Sequence, residues 1–306
     1  MDLEPLLLGA PPYLTRVEVA ERSGVPLDLA EQLWRLLGFP RTADDDIAFT
    51  DADVDALRQV RELMRHGVIG PDSQAALVRT WGRSYARLAE WQAALLADVD
   101  PDEDLARDLL PRIESLQSYA WRRHLASALG RATDTDADAA TSQLSVCFVD
   151  IVGYTSRSKR LDERELVGWL EHFESAATGL VVDHGGRIIK TIGDEILFVA
   201  DRTADAAEAA LQMTERGADP DDPFPEVRAG LAHGAVVSRL GDVFGPTVNI
   251  AARLTSVALP GTVLVDLGAH EELAEDPAYR LRSTRRVSVK GYARLQPWAL
   301  RRTRPS

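Results

Sequence analysis

Cysteine is nearly missing from this 306-residue sequence: Cys147 stands alone. A disulfide within the chain and a multi-cysteine zinc site are thereby excluded. Lysine is almost as scarce, with Lys159, Lys190 and Lys290 among 35 basic residues. No apolar run approaches the roughly 20 residues that a bilayer crossing needs. The opening MDLEPLLLGAPP is acidic and its apolar run is short, unlike a secretory signal. Positive charge is in deficit: 35 Lys and Arg against 48 Asp and Glu, a formal net charge of −13. That sign disfavours a nucleic-acid coat or a polybasic membrane anchor. What remains is ordinary globular material, 45% hydrophobic and 27% charged, long enough for two domains. The expectation is a soluble cytoplasmic protein without a membrane partner.

Composition breaks at Gly130–Ser142 (GRATDTDADAATS), which is small, polar and acidic with no apolar period. It reads as a linker over 131–142, between an all-helical domain, 1–130, and an α+β domain, 143–306. In the first, Thr15 caps a short helix, Gly24 turns the chain, and a second helix carries Leu29, Leu33, Leu36 and Leu37. That is a helix-turn-helix pattern, with Asp44–Phe49 as a small wing. Thr50 caps a third helix, and longer helices follow over about 73–96 and 105–129. Trp81, Tyr85, Leu88 and Leu95 form an apolar stripe on one, and Leu109, Ile113, Leu116 and Leu129 on the other. The start resembles the winged helix of MerR-type regulators. Yet residues 1–60 hold 12 acidic and 5 basic side chains, the wrong sign for phosphate, so DNA is not the expected partner.

Chemistry concentrates after the linker. LSVCFVD is an apolar run ending on Asp150. RIIKTIGDEILFV places two apolar runs around Gly193-Asp194, which suits a type II′ hairpin. Two carboxylates at neighbouring strand ends are costly without a cation between them, and hard divalent metal is the usual solution. Taken singly, Asp150 also reads as a helix cap and Asp194 as a turn residue. A third segment, GDVFGPTVNIAAR, carries Asp242 in a loop, then Asn249 and Arg253 four residues apart on one helical face. An amide and a guanidinium so placed can orient a ribose and neutralise a phosphate.

Together FVDIVGYT, KTIGDE and GDVFGPTVNIAAR resemble the class III nucleotidyl cyclases, over about residues 143–300. The resemblance implies a ferredoxin-like α+β catalytic domain behind an all-α regulatory domain. It implies metal ligation by Asp150, Asp194 and the Ile151 carbonyl, with two divalent ions, Mg²⁺ or Mn²⁺, as cofactors. Lys190 and Asp242 correspond to the purine-reading pair, Asn249 to the ribose-orienting asparagine and Arg253 to the transition-state arginine. Lys290 is a further candidate for a phosphate contact. A Lys/Asp pair can donate to adenine N1 and accept from its amino group, which makes ATP the expected substrate and cyclic AMP the product. The family fold also implies a homodimer, each site built from two chains.

Two other readings compete. One is a guanylyl cyclase. The other is a helix-turn-helix transcription regulator using a non-catalytic cyclase-like domain as a nucleotide sensor. Control by the N-terminal domain is expected, through pH at one of six histidines or through a small-molecule or lipid ligand among Trp81, Trp91, Tyr119 and Trp121.

Overall fold

The computed structural model describes residues 3–68, 71–99, 101–134, 141–289 and 292–303. The chain divides into two compact units, Met1–Asp134 and Thr135–Ser306. The first is helical: α1 (Glu4–Leu7), α2 (Arg16–Ser23), α3 (Leu27–Leu37), α4 (Asp51–Arg65), α5 (Pro71–Val99) and α6 (Glu103–Asp134). Capping boxes start two of these helices. Thr15 and Glu18 satisfy each other's orphan amides at α2, and Thr50 and Asp53 do so at α4. Gly24 ends α2 at φ 66°. Leu14, Val19, Leu33, Trp34, Phe49, Val54, Leu57 and Val78 form its core. The expected wing shrinks to a single antiparallel bridge, Leu14 to Phe49. Three consecutive aspartates, Asp44–Asp46, interrupt the apolar alternation that a longer hairpin needs.

The stripes expected on the two long helices are there, but much of them faces outward. Tyr85, Leu95, Leu116 and Leu129 are exposed, as are Trp91, Tyr119 and Trp121. Helical period fixes which face is apolar without fixing what covers it. Of the four proposed pocket aromatics, Tyr119 lines an open groove along α6 with Pro111 and Leu116, and Trp81 lines a cavity with Leu33, Leu57, Val60 and Val78. At about 70 Å³ it is smaller than the roughly 150 Å³ that admits a benzene ring. Helix α6 also continues past Gly130 to Asp134, four residues into the segment read as linker.

The second unit runs β1 (Ser142–Ile151), α7 (Tyr154–Ser158), α8 (Glu163–Asp183), β2 (Arg187–Ile192), β3 (Glu195–Ala200), α9 (Thr203–Ala218) and β4 (Val227–Arg239). It continues with β5 (Asp242–Phe244), α10 (Pro246–Val257), β6 (Val263–Val265), α11 (Leu267–Leu273), β7 (Tyr279–Ser283), β8 (Val287–Val289), β9 (Tyr292–Leu295) and β10 (Trp298–Arg302). The main sheet has the order β2-β3-β1-β4-β6-β10-β7, with β5 paired to β4. Its first four strands with α8 and α9 make the βαββαβ order of a ferredoxin-like fold.

Alternation along β1 divides the core. Cys147, Val149 and Ile151 face α8 and α9, with Phe173, Val181, Phe198 and Met213. Leu144, Val146 and Phe148 face the other way, toward Ala251 of α10 and Val243 of β5. The Cys147 thiol is completely buried, and burial pushes its pKa up. Gly230 of β4 lets α10 approach closely: a Cβ there would meet the Ala251 carbonyl oxygen and the Thr255 amide.

Candidate active site

The α10 face of the sheet carries the polar groups. Asp150 is the last residue but one of β1, and its register partners are Glu195 on β3 and Arg228 on β4. Residues paired across strands point to one face, so these three share the side of Phe148. Asp194 sits in the two-residue turn between β2 and β3, closed by the Ile192–Glu195 pair. Gly193 precedes it at φ 65°, the positive φ that a type II′ turn asks of its first central residue. The Ile151 amide donates to the Asp194 carbonyl oxygen at 3.1 Å, tying the strand end to the turn.

Burial, then the nearby charge of Asp150, raises the Asp194 pKa. Burial followed by the charges of Asp150 and Asp194 pushes Glu195 up to about 7, while Arg228 draws it down. The structure thus gathers negative charge where the sequence placed it. Arg228 offsets part of it, with Nε 2.8 Å and Nη2 2.6 Å from Asp150 Oδ2.

Lys190 and Asp242 also meet. A bulge in β2 after Ile188 sets Lys190 opposite Leu197, on the α10 face. Asp242 opens β5, after a two-residue turn of Leu240 and Gly241. Both turn residues have positive φ, 55° and 78°, which is strained for a leucine. Lys190 Nζ lies 2.5 Å from Asp242 Oδ2, and Oδ1 accepts from the Val243 amide.

Helix α10 buries Thr247, Ala251, Leu254 and Thr255. That leaves Asn249 exposed and Arg253 half-buried on its outer side. Among the described residues neither side chain has a hydrogen-bond or ion-pair partner in this chain, and Asp150 and Asp194 form no ion pair with Lys190 or Arg253. Lys290 lies outside the described residues.

A family model described as the adenylate and guanylate cyclase catalytic domain matches residues 137–302, more than half the chain. The chain belongs to that family. This cyclase is 36% identical to an adenylate cyclase of Glutamicibacter nicotianae, over 98% of its own length and 81% of the relative's. It is equally identical to an adenylate cyclase of Streptomyces coelicolor, over 99% of its length and 89% of the relative's. Among solved structures, the guanylate cyclase domain of RhGC from Catenaria anguillulae with GTP matches 53% of this chain and 97% of that one. The identity there is 22% and the TM-score 0.49.

The cyclase's donor set suits a hard cation, since Asp150 and Asp194 offer only oxygen. Among its described residues no three His, Cys, Asp or Glu side chains are gathered to hold a metal unaided. Two carboxylates suit Mg²⁺-like ions, which take one or two carboxylates and complete their shell with water and substrate phosphate. No described helix is long and apolar enough to cross a membrane. Sequence reasoning missed Arg228 and Glu195. Glu195 adjoins a motif aspartate and was there to be read, whereas Arg228 sits in a strand whose pairing only the register reveals.

Proposed function

We propose that the protein is an adenylate cyclase that converts ATP to 3′,5′-cyclic AMP and pyrophosphate in a homodimer. The Lys190–Asp242 pair, on the same face as Asp150 and Asp194, carries this reading. Lys190 donates to adenine N1 and Asp242 accepts from the exocyclic amine, whereas guanine presents the opposite pattern at both positions. The ribose 3′-oxygen bonds to the α-phosphorus, the bond from that phosphorus to the β-phosphate oxygen breaks, and the hydroxyl proton is lost. Asp150, Asp194 and the Ile151 carbonyl would hold two divalent ions (Mg²⁺ or Mn²⁺), whose charge would lower the 3′-hydroxyl pKa and offset that of the triphosphate. Asn249 orients the ribose, and Arg253 offsets charge growing on the transferred phosphoryl group. Positioning and charge stabilisation are most of what such a reaction asks of a protein.

An exposed apolar surface supports the dimer. Ile192, Leu240 and Phe244, at or beside the β2–β3 and β4–β5 turns, and Val237 of β4 stand exposed, an apolar rim beside the purine-reading pair. A strained, exposed leucine at a turn tip is costly unless it is covered. We assign control of catalysis to the helical unit, residues 1–134. Purified full-length protein with Mn²⁺ is expected to make cyclic AMP from ATP at least tenfold faster than cyclic GMP from GTP. Equal rates would return the guanylyl reading, and no product with either nucleotide would sink the enzyme reading.

A further inference from the structure

We propose that the helical unit holds a binding pocket for a small aromatic acid, a single ring bearing one carboxylate, at the turn that ends α3. All of its lining residues belong to that unit, so the pocket is independent of the cyclase activity. None of the four aromatics expected to surround a regulatory ligand lines it.

The pocket forms where α3 stops. Gly38, at φ 84°, closes a Schellman turn: its amide donates to the Arg35 carbonyl oxygen at 3.2 Å, and the Phe39 amide donates to that of Trp34 at 3.0 Å. The chain doubles back, so residues 39–42 make one wall of a cavity whose other wall is α3. Trp34 and Phe49 supply its apolar end. Both are buried, and their rings stack with centroids 4.9 Å apart. Phe39 is 52% exposed, which leaves part of its ring for an incoming one. Trp34 and Phe39 also border the 70 Å³ cavity beside Val78 and Trp81, so this wall has room to adjust when a ring enters.

Volume sets the size of the ligand. The cavity measures about 180 Å³. That exceeds the roughly 150 Å³ that admits benzene. It falls short of the roughly 300 Å³ at which pockets for larger organic ligands begin.

Charge sets the substituent. Residues 1–60 hold only five basic side chains, and three of them, Arg16, Arg35 and Arg41, line this pocket with a single acid, Glu31. Arg16 is already engaged, with Nη1 2.7 Å from Glu31 Oε1 and Nε 2.6 Å from Asp44 Oδ1. Arg35 Nε donates to the Glu31 carbonyl oxygen at 3.3 Å, and its guanidinium forms no ion pair among the described residues. Arg41 has neither a hydrogen bond nor an ion pair among them. Three guanidiniums against the carboxylates of Glu31 and Asp44 leave one positive charge, which matches a monoanion. Planar guanidinium forks suit a carboxylate, and they stack on aromatic faces as well. Arg35 and Arg41 therefore take the carboxylate, and the ring lies against Trp34 and Phe39.

The test is calorimetric titration of the full-length protein with 4-methylbenzoate at pH 7. One saturable site per chain with a Kd below about 1 mM is expected. The neutral isostere 4-methylbenzamide is expected to bind about tenfold more weakly or worse, because its charge-assisted hydrogen bonds are gone. Arg41→Gln and Phe39→Ala alter exposed side chains, and each is expected to weaken 4-methylbenzoate binding by about tenfold. Should Phe39→Ala lose its near-UV CD signal, Arg41→Gln decides alone. Absence of saturable binding overturns the proposal. Wild-type affinity in a folded variant overturns it too, since the acid would then sit elsewhere. Decanoate binding as tightly as 4-methylbenzoate would make this a site for alkyl chains, and phenyl phosphate doing so a site for dianions. Either result overturns the aromatic monoacid.

Discussion

Lys190 illustrates how far single residues were legible. In a chain with three lysines, one lies four residues before a turn aspartate, and the structure pairs it with Asp242 at 2.5 Å. In the proposed site, Lys190→Glu would replace a charge-assisted hydrogen bond to adenine with repulsion toward Asp242. Such bonds contribute about 1.5–3 kcal/mol, so kcat/KM for ATP is expected to fall at least tenfold, measured as cyclic AMP formation. Contiguous motifs marked Asp150, Asp194, Asp242, Asn249 and Arg253 as candidates, the three aspartates at strand ends and turns and the other two along α10. Arg228 was not readable, since nothing local marks an arginine whose carboxylate partner lies on the neighbouring strand. Asp222 is a similar case outside the site. Arg216, first, and the Phe224 amide, next, hold its carboxyl down to about 2. A lowered pKa contributes stability that is complete above the ordinary value of 3.8 and lost as pH falls toward 2. Thermal melts should therefore show wild type above Asp222→Asn at pH 6, with the gap narrowing below pH 4 and closing near 2.

Elements were legible where chemistry punctuates them. Thr15, Thr50 and Asp162 each open a helix with a reciprocal cap three residues on. Glycine turns placed the β2–β3 hairpin for the same reason. The bulge that sets Lys190 on the α10 face left no such mark, because it depends on register. Nor did the seat of α10, which depends on Gly230. Gly230→Ala must push α10 off β4 and move Asn249 and Arg253 with it. Overpacking of this kind costs about 1–3 kcal/mol. We expect a lower midpoint in urea together with a fall in cyclic AMP formation larger than the stability loss explains. Wild-type activity in this variant would mean that the helix position is not critical to catalysis.

Across the whole molecule, the helical period announced apolar stripes on α5 and α6 but not their exposure. Which surfaces a second chain covers lies beyond any one chain's pattern. The two-chain reading of the active site has a numerical consequence. Mixing equal amounts of Asp150→Asn and Arg253→Ala chains, each inactive alone, leaves half of the dimers mixed, and each mixed dimer has one intact site. About one quarter of wild-type activity should appear on co-refolding. Activity that stays at zero would place all the catalytic groups of each site in one chain. A last consequence belongs to Cys147. Three residues before Asp150, it lies sealed in the central strand, its burial raising the thiol pKa. Alkylating reagents therefore have to wait for that strand to come loose. The rate at which one sulfur takes up label would time the opening of the sheet, and it should slow when nucleotide and divalent ions are bound.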